Sequence, residues 1–337
     1  MSFAAHVPLV VATRGDTVEN IHYGSIAVVD RHGRLQRAAG DPDALTFTRS
    51  TLKAFQALPL VRDGGPRAFG FDDREVATMT ASHSGEAFHV AAVDGLLAKA
   101  GNDPSRLRCG CHVPYVFDTL GERPPDQARF DERHNNCSGK HAGFLAWCRL
   151  HGAPLDTYLE PGHPLQRRIR GEVGGLLGLD PDAIVGGIDG CSAPNLALPL
   201  SGLARLWALL AAGGADPTTD SLLEQLRAAM TAHPEYVSGT GRSDLHFARA
   251  GRGDWVAKVG AAGVQTIGVR SRGLGIAIKI ADGHPDARLV AAFAVLRALG
   301  LAERDDPELG RYAAIPLTNA AGRTVGELRP APTLSLD

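Results

Sequence analysis

Two serines and two lysines in this chain are placed where they could do acyl-transfer chemistry. Ser50 and Lys53 stand three residues apart in FTRSTLKAFQ, in a sequence that otherwise avoids lysine. Of its 35 basic residues only five are lysine (Lys53, Lys99, Lys140, Lys258 and Lys279), and 30 are arginine. Arginine serves solubility and surface charge but keeps its proton, whereas a lysine amine can lose one and act as a general base or a metal ligand. On a helical turn, side chains at i and i+3 share a face. A desolvated Lys53 would then take the proton of Ser50 and make it a nucleophile, next to a helix N-terminus that favours an oxyanion. The plainer alternative is that Ser50 only caps the helix.

A second set lies further along. TASHSGE carries Ser82 and Ser84 in a turn between helices, where an N-cap followed by Glu86 is the common use of such residues. WVAKVGAAG places Lys258 at the end of a strand, before Gly260, where a substrate could approach the backbone closely. Most strand lysines instead occupy a solvated edge. Two segments hold the informative cysteines: HNNCSGKH has Cys137, Lys140 and His141 at a helix start, and GIDGCSAPN has Asp189 and Cys191 after an apolar run. Cys-x-x-Lys is no ordinary zinc spacing, so these residues leave a metal site and a pair of buried thiols both open. Five cysteines, an odd number in a long chain, argue against a disulfide framework. Cys148 reads as a small apolar filler on a helix, and Cys109 and Cys111 as spare thiols.

The elements that must position these residues follow from the apolar pattern. Leu9 to Thr13 and Ile21 to Asp30 read as strands, with a turn at 31–34 leading into Leu35. From Ser50 the spacing becomes helical and stays so through most of the middle, interrupted by a Pro- and Arg-rich stretch over 102–136. Strand character returns at Trp255 to Val259, Val264 to Val269 and Gly275 to Ala281, before a last helix over Ala287 to Leu299. This order predicts an α+β fold. Its antiparallel sheet is made by the terminal segments (1–48 and 250–337), with 49–249 as a mostly helical insertion. A length of 337 residues with 44% hydrophobic and 21% charged content suits an ordinary globular chain with an ample core. The net charge of −2 makes no case for nucleic acid or an anionic membrane. No apolar run approaches the ~18 residues needed to span a bilayer, and MSFAAHVPLVVATRGD fits a first strand better than a signal peptide. The expectation is a cytoplasmic protein.

TRSTLKAFQ, ASHSGE, HNNCSGKHAGFL, IDGCSAPN and WVAKVGAAG occur here in the order and spacing of one family. From about Pro8 to about Ala291 the chain resembles the asparaginase II family of the rhizobial type, which is unrelated to the threonine-dependent bacterial asparaginases. The resemblance implies a fold like that of the serine β-lactamases, penicillin-binding proteins and glutaminases. It implies hydrolysis of L-asparagine to L-aspartate and ammonia through an acyl-serine intermediate. Carried over, Ser50 with Lys53 and Ser82 with Lys258 match the family's two serine–lysine dyads, and Cys137, Lys140 and Cys191 match its zinc ligands. Arg49, His141 and Asp189 match supporting positions. Both serines have a lysine partner, so the order of attack stays open. The alternatives are a glutaminase or another acyl-serine hydrolase on the same fold, or an inactive amino-acid-binding protein. The expected partners are the small-molecule substrate and a second copy of the chain in a homodimer.

Overall fold

A computed structural model describes residues 4–337. The first apolar stretch is rich in Val, Ile, Thr and Tyr, which suit a pleated, packed surface. It folds as the hairpin β1 (Val7–Arg14) and β2 (Thr17–Asp30). β3 (Leu35–Ala39) turns back along β2, and β4 (Leu45–Phe47) precedes the first helix. β5 (Val185–Ile188) and β6 (Pro194–Pro199) form a separate hairpin with Val185 opposite Ala197. The C-terminal part supplies β7 (Trp255–Gly260), β8 (Val264–Val269), β9 (Leu274–Ile280), β10 (Ile315–Thr318) and β11 (Thr324–Pro330). The main sheet runs β10-β11-β1-β2-β9-β8-β7, antiparallel throughout, with β3 also on β2. The chain is α+β, and its two ends share one antiparallel sheet.

Two compact units divide the chain. The first takes it through Thr51, then Leu198–Gly214 and His246–Asp337. One face of its sheet offers Ile26, Val28, Ile276, Ile278 and Ile280 to the helix Pro285–Ala298, which packs Val290 and Phe293 into the same core. Full burial of each such side chain contributes about 1.5–3 kcal/mol. The helix Leu200–Ala212 covers the opposite face. It lies so near Gly275 that a Cβ there would stand 1.9 Å from the Ala204 carbonyl oxygen. Glycine is therefore what lets the helix backbone rest on the strand. With helices on both faces, β2 is buried continuously from Gly24 to Val29, where a half-solvated strand would alternate. The segment 198–214, expected in the helical region, thus belongs to the sheet unit. β10 and β11, which the sequence did not suggest, extend the sheet beyond β1.

The second unit comprises Leu52–Ala197 and Ala215–Leu245. Its centre is the helix Ser138–His151, on which the helices Lys53–Arg62, Asp73–Met79 and Ala87–Lys99 pack. Ser138 through Cys148 are all buried, so this helix has no solvated face over its first three turns. The chain passes from the first unit to the second between Thr51 and Leu52. Arg49, Ser50 and Lys258 belong to the first, while Lys53, Ser82 and the cysteine-bearing segments belong to the second.

Candidate active site

Lys53 opens the helix Lys53–Arg62, directly after the tight 3-10 turn Arg49–Leu52. Arg49 holds φ at 50°, a left-handed conformation that costs a non-glycine residue of order 1 kcal/mol. Lys53 is 1% exposed. Its Nζ contacts the Ala81 carbonyl, Ser82 Oγ at 3.0 Å and the Asn136 carbonyl at 3.4 Å.

Ser82 reaches Lys53 because the turn after Asp73–Met79 is tied to other segments. The Ser82 N–H donates to the Val237 carbonyl at 2.9 Å, and the His83 N–H to that of Asn136 at 3.2 Å. The Ser84 hydroxyl donates to the Ser238 carbonyl at 2.9 Å. The N-cap of the next helix is Glu86, in a reciprocal box with His89. Neither serine is spent on capping. Two stacked histidines buttress the turn, with ring centroids 5.0 Å apart. Each accepts a backbone N–H at Nδ1 and therefore donates from Nε2: His83 from Gly85 and to Ser138 Oγ, His89 from Glu86 and to the Glu235 carbonyl. Burial pushes both below the usual imidazole range, His89 to about 4.

Lys258 lies on β7, the end strand of the sheet, yet it is 1% exposed rather than solvated, and its Nζ donates to the Val259 carbonyl at 3.2 Å. Ser50 is also buried. Lys279 sits on the interior strand β9, partly buried, its amine on the Ala262 and Ile280 carbonyls. Burial lowers it below the ordinary lysine range.

The cysteine segments meet within the second unit. Cys137 is the N-cap of Ser138–His151, Lys140 follows one turn later, and Cys191 comes from the bend between β5 and β6. Lys140 Nζ is 2.9 Å from Cys191 Sγ. The Cys137 thiol hydrogen-bonds Cys191, which draws Cys191 far below the thiol range against the cost of burial, with Lys140 adding to the effect. The same bond, together with burial, pushes Cys137 up. Burial opposes charge on Lys140, but Cys191 and Cys137 outweigh it and raise the amine, with Asp189 adding to them. Cys137 and Lys140 thus both favour the charged form of Cys191, and Cys191 favours the charged form of Lys140. Burial pushes the neighbouring Cys109 up to about 12, so it stays a thiol.

His141 has a defined tautomer. The Arg108 N–H donates to the Tyr158 hydroxyl oxygen at 2.9 Å, and the buried hydroxyl donates in turn to His141 Nδ1 at 2.7 Å. Burial pushes His141 down to about 4, so it is neutral and carries its proton on Nε2. That atom is buried and makes no regular hydrogen bond, though it is near enough to Cys191 to favour the thiolate. His141 is therefore a donor in this arrangement.

Among the described residues no three His, Cys, Asp or Glu side chains are grouped for a metal, so a site here needs the lysine. Two sulfurs and an amine in mutual contact, around a buried nitrogen with no regular hydrogen bond, are a donor set that fits zinc once Lys140 gives up its proton. Sequence reasoning missed Asn136, which lies inside a quoted motif but was passed over for Cys137. It also missed Tyr158, which stands in no chemical pattern at all.

The L-asparaginase II family matches residues 10–330, nearly the whole chain. The chain belongs to the L-asparaginase II family. Among solved structures it is similar to one described as Mglu in its native form, with 20% identity over 84% of this chain and 66% of that one, at a TM-score of 0.40. It is also similar to a putative beta-lactamase from Bacteroides dorei DSM 17855, with 12% identity over 76% and 84% of the two chains, at a TM-score of 0.38. The family member described here spans just under two thirds of that Mglu chain. No curated protein matches the sequence. Among the described residues no helix is long and apolar enough to cross a membrane.

Proposed function

We propose that this protein is an amidohydrolase, and specifically an L-asparaginase that works through an acyl-serine intermediate. What supports the reading is family membership together with one contact, Lys53 Nζ on Ser82 Oγ at 3.0 Å in a buried setting. A neutral amine has two N–H donors and one lone pair. The Ala81 and Asn136 carbonyls take the donors, which leaves the lone pair for the Ser82 proton. Ser82 Oγ then attacks the side-chain carbonyl of L-asparagine while Lys53 accepts the proton. Collapse of the tetrahedral intermediate breaks the C–N bond, and the Lys53 ammonium returns the proton to the departing ammonia. Water, deprotonated by the same amine, hydrolyses the aspartyl ester and frees Ser82. Ser50 and Lys258 remain the second serine and second amine expected of the family, with Arg49 supporting Ser50.

Cys137, Lys140 and Cys191 would hold zinc, with His141 and Asp189 steadying them. Bound there, zinc supplies positive charge that orders the pocket and helps to seat the substrate, and the nucleophile stays with serine. The proposed assembly is a homodimer.

Steady-state ammonia release from L-asparagine and L-glutamine tests the reading. One methylene is worth only ~1–3 kcal/mol in a pocket, so strong selectivity requires paired polar groups around the amino-acid head. Asparagine is expected to be turned over far faster. Equal rates would reject the substrate assignment.

A further inference from the structure

Residues 237–242, VSGTGR, lie along the turn that carries Ser82. The Val237 and Ser238 carbonyls accept from the Ser82 N–H and the Ser84 hydroxyl, each at 2.9 Å. The Glu86 carboxylate accepts both the N–H and the hydroxyl of Thr240, each at 2.8 Å. Gly239, with φ at +124°, is pressed so close that a Cβ would stand 2.4 Å from Ser84 Oγ and 2.6 Å from Glu86 Oε1. Only glycine fits there. The segment is thus registered on the serine turn by four hydrogen bonds, and it ends at Arg242.

Two polar side chains of this segment have no hydrogen-bond partner among the described residues: the buried Ser238 hydroxyl and the half-buried Arg242 guanidinium. Arg242 lies 5.3 Å over the ring of Tyr115. Tyr115 stacks on His112 at 4.5 Å, and His112 Nε2 accepts the Asn136 N–H at 3.0 Å. The carbonyl of Asn136 is one of those that hold Lys53. Burial raises Tyr115, while Arg242 lowers it and Cys137 raises it, so this ring is close to the guanidinium and to the cysteine segment alike. Three cations near this turn and the cysteines are committed: Lys53 to Ser82 and two carbonyls, Lys140 to Cys191, Arg133 to Asp131 and Asp94. Arg242 keeps its fork of donors with no anion against it. An aromatic face braces such a fork without neutralising it, and the fork matches a carboxylate bidentately.

We propose that Arg242 binds the α-carboxylate of the amino-acid substrate and so sets the preference for a free amino acid over a simple amide. This rests on the amidohydrolase reading above. The segment 237–242 acts as a jig that fixes the distance from carboxylate to Ser82, and Tyr115 holds the guanidinium plane.

The test compares L-asparagine with 3-aminopropanamide, which has the same amino group and side-chain amide but no carboxylate. Wild type should favour asparagine by roughly 100-fold in kcat/KM, the size expected of charged hydrogen bonds. Arg242→Gln should lose about that factor on asparagine, mainly in KM, and leave 3-aminopropanamide unchanged, with Arg242→Lys recovering part of the loss. An equal fall on both amides, or no change on asparagine, overturns the proposal. Calorimetric binding of L-aspartate and β-alanine separates it from the assignment of activity. If wild type hydrolyses neither amide, the asparaginase reading fails, while aspartate binding that is lost in Arg242→Gln still supports the carboxylate site. No aspartate binding to wild type, or equal binding to the variant, overturns it.

Discussion

Two lysines of the second unit are buried to nearly the same degree, Lys53 at 1% exposure and Lys140 at 3%, yet their amines meet different partners. Lys53 faces two carbonyls and a hydroxyl, all of them neutral groups, and in the proposed mechanism its amine passes a proton to and from serine. Lys140 faces the sulfur of Cys191, which together with Cys137 raises the amine against the effect of burial. Equal burial therefore goes with unlike partners, neutral oxygens for one amine and sulfur for the other.

The sharpest way to break this contrast is Lys53→Arg, which keeps the charge and removes the reversible proton. Turnover of asparagine should fall by about 10³-fold or more. Lys99→Arg, at a half-exposed amine paired with Glu75, should turn over like wild type. Near-normal ammonia release from Lys53→Arg would show that the Ser82 contact is structural.

Cys191→Ser attacks the other lysine. Without metal, Lys140 would be left as a buried cation facing a neutral hydroxyl, and urea unfolding should show a loss of about 3–5 kcal/mol. Elemental analysis should find stoichiometric zinc in wild type and none in the variant. Wild-type protein that lacks zinc, is fully active and does not respond to added metal would remove the ion from the scheme.

Acid should weaken the Ser82 side and the cysteine side over the same range, because burial pushes both His89 and His141 down to about 4. His89 titrates near 4 when folded and near 6.5 when unfolded, so between those values only the unfolded chain takes up the proton. The stability held by neutral His89 is complete above about pH 6.5 and drains away toward pH 4, with Glu86 opposing the shift and Arg242 assisting it. His83 moves in the same direction. The loss should amount to a few kcal/mol, and the slope from pH 7.5 to 5 should flatten in His89→Gln. Identical pH slopes for wild type and variant would contradict this account.

The smallest effect is expected at Tyr158→Phe, which deletes the hydroxyl that orients His141 and should cost about 1–2 kcal/mol. Nitrogen NMR should find the His141 proton on Nε2 in wild type and a mixture of tautomers in the variant. A proton on Nδ1 in wild type would reverse the assignment of His141 as a donor.

Much of the scaffold was legible. The β-branched runs of β1, β2 and β7 to β9 mark themselves, because strands packed on both faces must be apolar almost throughout. β10 and β11 escaped notice because IPLT and TVGELRP are short and broken by Pro, Gly and charge. Leu200–Ala212 reads as a helix from its leucines. That it covers the sheet depends on glycine at 275, which carries no such message in one dimension.

The chemistry-bearing residue types were set in the sequence by itself: with 30 arginines against five lysines, Lys53, Lys140 and Lys258 stand out beside serine and cysteine as candidates for chemistry. Partner choice was left to the tertiary structure. Lys53 is three residues from Ser50, but its amine rests on Ser82, 29 positions away, because backbone bonds from Val237 and Asn136 hold that turn against it. Lys140 is three residues from Cys137, but its amine rests on Cys191, 51 positions away in the bend between β5 and β6. Sequence spacing states which side chains can share a helical face. Desolvation and the identity of the opposing group are properties of space, and they put the Lys53 amine on oxygens and the Lys140 amine on sulfur.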